Sequence, residues 1–363
     1  MLITHVHRKL KGVPIVGSSW VPATIVSLLL CAVLGCAGQS QLESAVNEYR
    51  ARLNRVLGIS IPAAKWDDSL TSALAYPTAS ALNVNIAPMN INLRDFYAIQ
   101  DCELGRIVAE RNTALGKTQL PSQRFIYEQK LLTVLAKCAA ISAEGNQKLS
   151  TQIERWLEQK QAQWPKVWAQ LIQNSTEMKQ GLSLASAPLN TRDGNEGVSA
   201  VNALFYLDHL RQTQHATTPL DSTELEAQLQ MIGSVRLPAK IWLTQRILAT
   251  ELHQLTEQLK QPLATVSCPN GNASDKAKIL RNVFYLFFIE EIQPIGSKVN
   301  QFHYQLNPLW QSWSQSRALS PAFKAFIEGN AEHGFQQYQQ SMKAHVTMWQ
   351  TFLSRCNLAP VAG

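Results

Sequence analysis

Two short runs of polar residues, at 110–112 and 124–128, contain the side chains best suited to chemistry. They combine two arginines, two glutamates, an asparagine and a tyrosine: Glu110, Arg111, Asn112, Arg124, Tyr127 and Glu128. Arginine forks and carboxylates form charge-assisted hydrogen bonds with each other, and the same forks bind anions. We predict a structural clamp that fixes the loop at Leu115–Gly116, because ion-pair lattices inside a fold often resemble active sites. An anion-binding site is the alternative.

Sequence patterns typical of enzymes are absent from the chain. There is no His-Glu-x-x-His, no Gly-x-Ser-x-Gly, no glycine-rich phosphate loop and no Cys-x-x-Cys. These patterns mark zinc, nucleophilic, nucleotide and redox chemistry. We therefore assign no catalytic residue, no metal ligand and no cofactor.

Three aromatic residues near the C-terminal end, Trp310, Trp313 and Phe323, allow two interpretations. They line an apolar or sugar-binding groove, or they close the core at the ends of helices. Large aromatic side chains contribute most when they are buried. We favour the core.

An αα-hairpin over residues 94–141 is expected to position the polar runs. Residues 94–114 have helical spacing, and Pro121 with Ser122 signals the start of a second helix that runs to about Ile141. The Leu-Pro step at 120–121 interrupts the pattern between them. The chain is therefore predicted to fold back near Leu120.

This fold-back predicts which residues face each other across the hairpin. Positions paired between two antiparallel helices have a roughly constant sum of residue numbers, and Cys102 with Cys138 gives 240. The same sum sets Asn112 opposite Glu128. It also sets Glu110 opposite Lys130.

Four cysteines follow Cys36, and an even count suits a compartment in which disulfides persist. Four cysteines allow three pairings. We choose Cys102 with Cys138 from the hairpin sum, and Cys268 with Cys356 then follows by elimination.

The polar runs also carry a family resemblance. The segments Asp101–Arg106, Ala109–Gly116, Ser122–Arg124 and Tyr127–Glu128 supply a cysteine, Glu-Arg-Asn, Leu-Gly, Ser-x-Arg and Tyr-Glu. With these motifs the chain resembles a group of Gram-negative bacterial lipoproteins with a domain of unknown function, over nearly the whole chain after Cys36. The resemblance implies a helical lipoprotein and supplies no reaction, ligand or catalytic residue.

The first 36 residues read as a bacterial lipoprotein signal. A basic start is followed by an uncharged apolar stretch at 21–35, which is short for a membrane span. Val33–Leu34–Gly35–Cys36 resembles a lipobox, so residues 1–35 are predicted to be removed and Cys36 to be acylated. An uncleaved helix in the inner membrane is the alternative.

These observations predict a location and two rival functions. Gly38 lacks the aspartate that retains lipoproteins in the inner membrane, so we expect the periplasmic face of the outer membrane, with the lipid as membrane partner. The first hypothesis is a non-enzymatic protein that binds an envelope protein or the cell wall. The second is an envelope hydrolase acting on a cell-wall or lipid component, with Glu110 or Glu128 as a buried general acid. The nearby arginines oppose it, because they favour the charged carboxylate.

The rest of the chain predicts an all-α, multi-helix bundle. An N-terminal part (36–175) and a C-terminal part (198–358) are separated by a Ser-, Asn- and Gly-rich stretch at 174–197, which we predict to be a loop. Only residues 82–93 alternate apolar and polar side chains, which indicates an extended or two-stranded segment. The formal net charge of the full chain is +7, yet no basic cluster interleaved with aromatics supports nucleic-acid binding.

Three further predictions concern the later helices. The apolar run from Ser274 to Ile292 is expected to form the central, buried helix. Pro294 and Pro308 are expected to break the helices that follow.

Overall fold

Helical periodicity dominates the sequence, and the computed structural model places most of the described residues in helices. The described residues are 40–64, 74–185, 187–215 and 219–359. Their α-helices, in chain order, are α1 (Gln41–Leu57), α2 (Leu93–Ala98), α3 (Glu103–Arg111), α4 (Ala114–Lys117), α5 (Pro121–Ala143), α6 (Gln147–Asn174), α7 (Thr176–Ser183), α8 (Asn195–His209), α9 (Ser222–Val235), α10 (Leu237–Thr265), α11 (Asp275–Val283), α12 (Gln293–Gln315), α13 (Pro321–Glu328) and α14 (Gly334–Arg355). Short 3₁₀ turns lie at Leu210–His215 and Pro269–Gly271, and π-helical segments lie at Phe284–Ile292 and Gly329–His333. No strand occurs in the described residues, and the predicted all-α bundle is confirmed.

Several predicted helix starts are confirmed by their caps. Ser274 accepts a hydrogen bond from the backbone N–H of Ala277 (3.3 Å) at the start of α11, and Ser320 accepts one from Phe323 (3.2 Å) at the start of α13. Pro121 occupies the first turn of α5, where an N–H would have no partner in the helix. Local side-chain chemistry thus decides where these helices begin.

The first helix of the predicted hairpin is not continuous, which corrects the prediction for residues 94–114. The chain forms α2, turns, forms α3 and then starts the short α4. Thr113 caps α4 by accepting a hydrogen bond from the N–H of Gly116 (3.0 Å). Threonine also fits a helix interior, so the periodic pattern did not reveal the break.

The predicted loop at 174–197 was partly wrong, because it contains helix α7. Met178 and Leu182, four residues apart, are buried in the core. Gly181 lets α7 approach α9 closely, since a Cβ at this position would lie 2.9 Å from the carbonyl oxygen of Ile232. Small residues that suggested a loop are here the contact surface between two helices.

Neither Pro294 nor Pro308 breaks a helix, contrary to the prediction. Pro294 lies in the first turn of α12, directly after the π-helical segment, where its missing N–H is tolerated. Pro308 lies inside α12, whose neighbours Leu309 and Trp310 are buried in the core. Tertiary packing outweighs the local preference of proline in this helix.

The helical run that begins at Ser274 is also less central than predicted. Phe284, Phe288 and Ile292 are buried, whereas Ile279 and Leu286 are about half exposed. The run therefore packs one face against the core. Helix α10 contributes the longest series of buried residues instead.

The alternating stretch at 82–93 forms an extended segment, residues 82–92, that lies along α6 without strand pairing. Polar side chains of α6 donate hydrogen bonds to its backbone carbonyls. The pairs are Gln163 to Ala87 (2.9 Å), Lys166 to Asn85 (3.0 Å), Gln170 to Val84 (3.3 Å) and Gln173 to Leu82 (3.4 Å). Helix side chains thus satisfy the carbonyls that a neighbouring strand would otherwise satisfy.

Two hydrophobic cores organise the described residues. The main core draws on α1 and on α5 to α14, so both predicted parts of the chain contribute to it. Trp310, Trp313 and Phe323 are buried there, with Trp313 and Phe323 fully enclosed, which confirms the favoured core interpretation. The smaller hairpin core contains Ile99, Leu104, Ile107, Leu131, Val134, Leu135, Cys138, Ala139, Ile153 and Trp156.

Two disulfides cross-link the fold. Cys102 is joined to Cys138 (Cα–Cα 6.1 Å) and Cys268 to Cys356 (Cα–Cα 5.2 Å), the same pairs that the sequence analysis chose. The first ties α3 to α5, and the second ties the end of α14 to the turn after α10. None of the helices among the described residues is both long and apolar enough to cross a membrane.

Candidate functional site

A cavity of about 630 Å³ lies between α3, α5, α6 and the extended segment. We call it the hairpin cavity. It is lined by Ile86, Ala87, Pro88, Met89, Asn90, Ile91, Ile99, Leu104, Val108, Arg111, Asn112, Lys117, Gln119, Arg124, Tyr127, Leu131, Leu135, Trp156, Lys160 and Gln170. Its size and mixture of apolar and polar walls are typical of small-molecule sites.

Helix α3 divides the polar residues between two faces. Leu104, Val108 and Arg111 follow each other at helical intervals and line the cavity. The other face is exposed and carries an ion-pair ladder, in which Arg106 contacts both Glu103 (2.8 Å) and Glu110. Glu110 therefore belongs to the outer surface and does not line the cavity.

The cavity is basic because four cations and no carboxylate belong to its lining. The cations are Arg111, Lys117, Arg124 and Lys160. Glu128 lies directly behind this wall, is 2% exposed, and contacts Arg124 as well as Lys160 (Nζ–Oε2 3.0 Å). One buried carboxylate thus compensates part of the charge and leaves a surplus of cations.

One guanidinium nitrogen of Arg124 has no hydrogen-bond partner among the described residues. This atom is the buried Nη1, whereas Nη2 contacts Glu128. The guanidinium also lies over the ring of Tyr127, 5.3 Å from the centroid. Burial raises the pKa of the Tyr127 hydroxyl above its ordinary value, so this side chain stays a neutral hydrogen-bonding group.

Arg111 acts on the loop that the sequence analysis singled out, but through a different partner than expected. Its guanidinium donates to the carbonyl oxygen of Gly116 and so closes the loop after α3. A Cβ on Gly116 would lie 2.7 Å from the carbonyl oxygen of Arg111, which is why a glycine fits here. The contact that holds this loop is therefore a hydrogen bond from Arg111 to the backbone carbonyl of Gly116.

The side-chain pairs derived from the hairpin sum were wrong. Lys130 lies 3.7 Å from Glu103, and Glu110 contacts Arg106. Asn112 is exposed at the end of α3, and the buried Glu128 contacts Arg124 and Lys160. The sum rule assumes two uninterrupted helices, and α3 begins only at Glu103 and ends at Arg111.

Two cations of the site were missed by the sequence analysis. Lys117 lies in α4, which was not predicted. Lys160 carried a usable signal, because it lies on the apolar face of α6, four residues from both Trp156 and Trp164. A charged residue inside an apolar stripe needs a buried partner, and here that partner is Glu128.

A second space, an apolar groove of about 680 Å³, lies between α10 and α14. Two of its basic residues are already paired, and Lys260 contacts Glu257 (2.6 Å). Arg355 donates to the carbonyl oxygens of Leu263 and Ala264, both at 2.7 Å. The hairpin cavity is the better candidate because several polar side chains converge in it.

The main core encloses a polar cluster around His345 that is complete in itself. The Thr256 hydroxyl donates to the Leu252 carbonyl (2.6 Å), so it accepts from Nδ1–H of His345 (2.9 Å). Nε2 then accepts from Tyr49 (3.0 Å) and Trp349 (3.2 Å). Burial lowers the pKa of His345 to about 3, which keeps the ring neutral.

Within the described residues, no group of three His, Cys, Asp or Glu side chains is arranged to hold a metal ion.

Comparison with known proteins gives one match. The family described as "Protein of unknown function (DUF3080)" matches residues 46–360. No curated protein and no solved structure matches the chain. The match agrees with the resemblance to a domain of unknown function and adds no ligand or reaction.

Proposed function

We propose that this chain, which belongs to the family of proteins of unknown function (DUF3080), is a non-enzymatic envelope protein that binds an anionic ligand in the hairpin cavity. The family assigns no activity, so the proposal rests on the chemistry of the cavity. One observation carries it. Four basic residues line the cavity, no acidic residue does, and Glu128 behind the wall compensates only part of their charge.

The arrangement suits anions for two physical reasons. Like charges held together are unfavourable, and a bound anion relieves that repulsion. The buried Nη1 of Arg124 has no partner among the described residues, and an anionic oxygen is a strong acceptor for such a donor.

A hydrolase is not proposed, because neither glutamate of that hypothesis reaches the cavity. Glu110 lies on the exposed face of α3 with Arg106. Glu128 is held behind the wall by Arg124 and Lys160. A general acid must come within hydrogen-bond reach of the bond that it cleaves.

Binding is tested with butyl phosphate on the full chain in nanodiscs of zwitterionic phosphatidylcholine, with empty nanodiscs as background. We expect saturable binding that weakens with added salt. Lys117→Gln should weaken it about fivefold, which corresponds to about 1 kcal/mol. The matched control is Lys130→Gln, a partly exposed basic residue outside the cavity lining. Equal affinity of both variants and the wild type would refute the site.

The second part of the proposal is the lipid anchor at Cys36, which lies outside the described residues. It is supported by the apolar stretch at 21–35 and by Val33–Leu34–Gly35–Cys36. Gly38 further supports the outer membrane as the destination, and an envelope protein or the cell wall is the additional partner in this proposal. Cys36→Ser should release the protein from membranes or leave an uncleaved precursor, read out by fractionation and intact mass. Unchanged fractionation and mass would exclude the anchor.

A further inference from the structure

We infer that the ligand of the hairpin cavity is an anionic amphiphile, with its acidic head among the four basic residues and its apolar tail directed toward the Cys102–Cys138 disulfide. This inference rests on the proposed function and adds the ligand class. It follows from the order of residues along the walls. Each helical wall changes from basic or polar to apolar in the same direction.

Helices α3 and α5 show this order on the two arms of the hairpin. Along α3 the lining passes from Arg111 back to Val108 and Leu104. Along α5 it passes from Arg124 through Leu131 to Leu135. The polar ends meet at the loop between the arms, and the apolar ends meet near the disulfide, because the arms are antiparallel.

Helix α6 repeats the order on a third wall. It runs antiparallel to α5, since Lys160 contacts Glu128 and Ser150 donates to the carbonyl oxygen of Ala139 (2.9 Å). Lys160 therefore lies at the basic end, and Trp156 lies one turn toward the apolar end.

The extended segment closes the apolar end on a fourth side. Its Met89 and Ile91 pack against the hairpin core. Three helical walls that share one polarity gradient, closed by the extended segment at the apolar end, form an amphiphilic space. A site for a small inorganic anion needs no apolar end. From Arg124 to Leu135 the space extends about 16 Å along α5, at 1.5 Å per residue.

The exposure of the walls indicates which part of the ligand faces water. Lys117 is exposed and Arg111 is partly exposed, whereas Leu104, Leu131 and Leu135 are buried. The head group therefore stays at the open end and the tail is withdrawn from solvent. A fatty acid and the phosphate monoester of a lipid share this chemistry.

The test is a chain-length series of alkyl phosphates, from butyl to octyl to dodecyl, below their micelle-forming concentrations. The full chain is used in phosphatidylcholine nanodiscs, with empty nanodiscs as background. Burial of each methylene should tighten binding up to about fourfold, so we expect octyl phosphate to bind at least tenfold more tightly than butyl phosphate. Dodecanoate is compared with dodecyl phosphate to distinguish a fatty acid from a phosphate-bearing lipid, and octanol serves as the neutral arm.

The apolar end is tested by Val108→Gln, which changes a half-buried lining residue. It should abolish the gain in affinity from butyl to octyl phosphate. Ala109→Gln, on the exposed face of the same helix, should keep the gain. Met89→Gln on the extended segment replaces Val108→Gln if that variant fails to fold.

The outcomes separate this inference from the proposed function. If butyl, octyl and dodecyl phosphate bind equally, the amphiphile is refuted and the anion site stands. If octanol binds as tightly as octyl phosphate, the requirement for an acidic head is refuted. If no phosphate binds above the empty nanodiscs, the proposed function fails together with the inference.

Discussion

The hairpin cavity and the His345 cluster both contain polar groups inside the protein, and they differ in how those groups are satisfied. Around His345, hydroxyl, indole and imidazole groups use one another as donors and acceptors. At the basic end of the cavity, four cations belong to the lining, and only two of them, Arg124 and Lys160, contact the buried carboxylate of Glu128. A complete network stabilises a fold, whereas surplus donors at a cavity indicate a ligand.

The same contrast holds for two buried glutamates. Glu251 in the main core and Glu128 beside the cavity are almost equally inaccessible. Glu251 is paired with Arg50, and Glu128 with both Arg124 and Lys160. Glu128 therefore keeps a cation in contact when one of its two is removed.

The largest effect is expected from Arg50→Met. It removes a buried guanidinium that contacts Glu251 and donates to Asn47 (2.7 Å), and breaking a buried ion pair typically costs about 3 to 5 kcal/mol. Lys160→Met should cost about 1.5 kcal/mol, because Arg124 still contacts Glu128. Urea unfolding of the full chain in nanodiscs measures both. Arg52→Met is the control, since its pair with Glu48 is exposed and contributes about 0.5 kcal/mol. Equal losses for Arg50→Met and Lys160→Met would contradict the contrast between the regions.

Acid should destabilise the main core through His345. Burial lowers its pKa from 6.5 to about 3, so between these values the unfolded chain binds a proton that the folded chain does not. The free energy of unfolding therefore falls as the pH falls through this window, by up to about 1.4 kcal/mol per pH unit for one histidine. His303, with a pKa lowered to about 4 by burial, acts in the same direction.

The contribution of His345 is isolated by its variant. His345→Gln should reduce the slope of unfolding free energy against pH between pH 6 and 4 by about 1.4 kcal/mol per unit. His333→Gln, an exposed histidine just before α14, is the control. A slope that stays the same in His345→Gln would exclude this cluster as the acid-sensitive element.

Much of the fold was predictable because it depends on local chemistry. The serine caps of α11 and α13 and the proline at the start of α5 are encoded within four residues of each helix start. The break before α4 is local but ambiguous, because Thr113 caps this helix although threonine also fits a helix interior. The helix α7 and the tolerance of Pro308 depend on neighbours that are distant in sequence. Periodicity carries no information about such neighbours.

The location of the candidate site was also predictable, but its contacts were not. Arg111 and Arg124 lie at the cavity as the polar runs indicated. A disulfide requires only that Cα atoms approach, here 6.1 Å, so the hairpin sum sufficed for Cys102 and Cys138. Side-chain pairs such as Glu110 with Lys130 require an uninterrupted register along both helices, and α3 is too short to maintain it.

Arg111→Ala sharpens the comparison between a clamp and a ligand site. Arg111 is partly exposed and donates to the carbonyl oxygen of Gly116, so its loss should cost about 1 to 2 kcal/mol. A buried charge left unpaired would cost about 3 to 5 kcal/mol. Urea unfolding decides between these ranges, and butyl phosphate binding is measured on the same sample. A loss in the larger range with unchanged binding would make Arg111 part of a buried structural network.

The smallest effect is expected at the extended segment. Gln163→Leu removes the hydrogen bond to the carbonyl oxygen of Ala87, which is worth about 1 kcal/mol. The loss is offset in part, because Oε1 of Gln163 is buried without a partner among the described residues and disappears with the substitution. Global unfolding should therefore barely change, since the main core is untouched. Hydrogen exchange of residues 82–92 should nevertheless accelerate, because opening of the segment no longer breaks this bond.

Gln159→Leu, an exposed position on the same helix, is the matched control and should leave the exchange of the segment unchanged. If Gln163→Leu lowered global stability as strongly as Lys160→Met, the segment would unfold together with the rest of the protein and would not open locally.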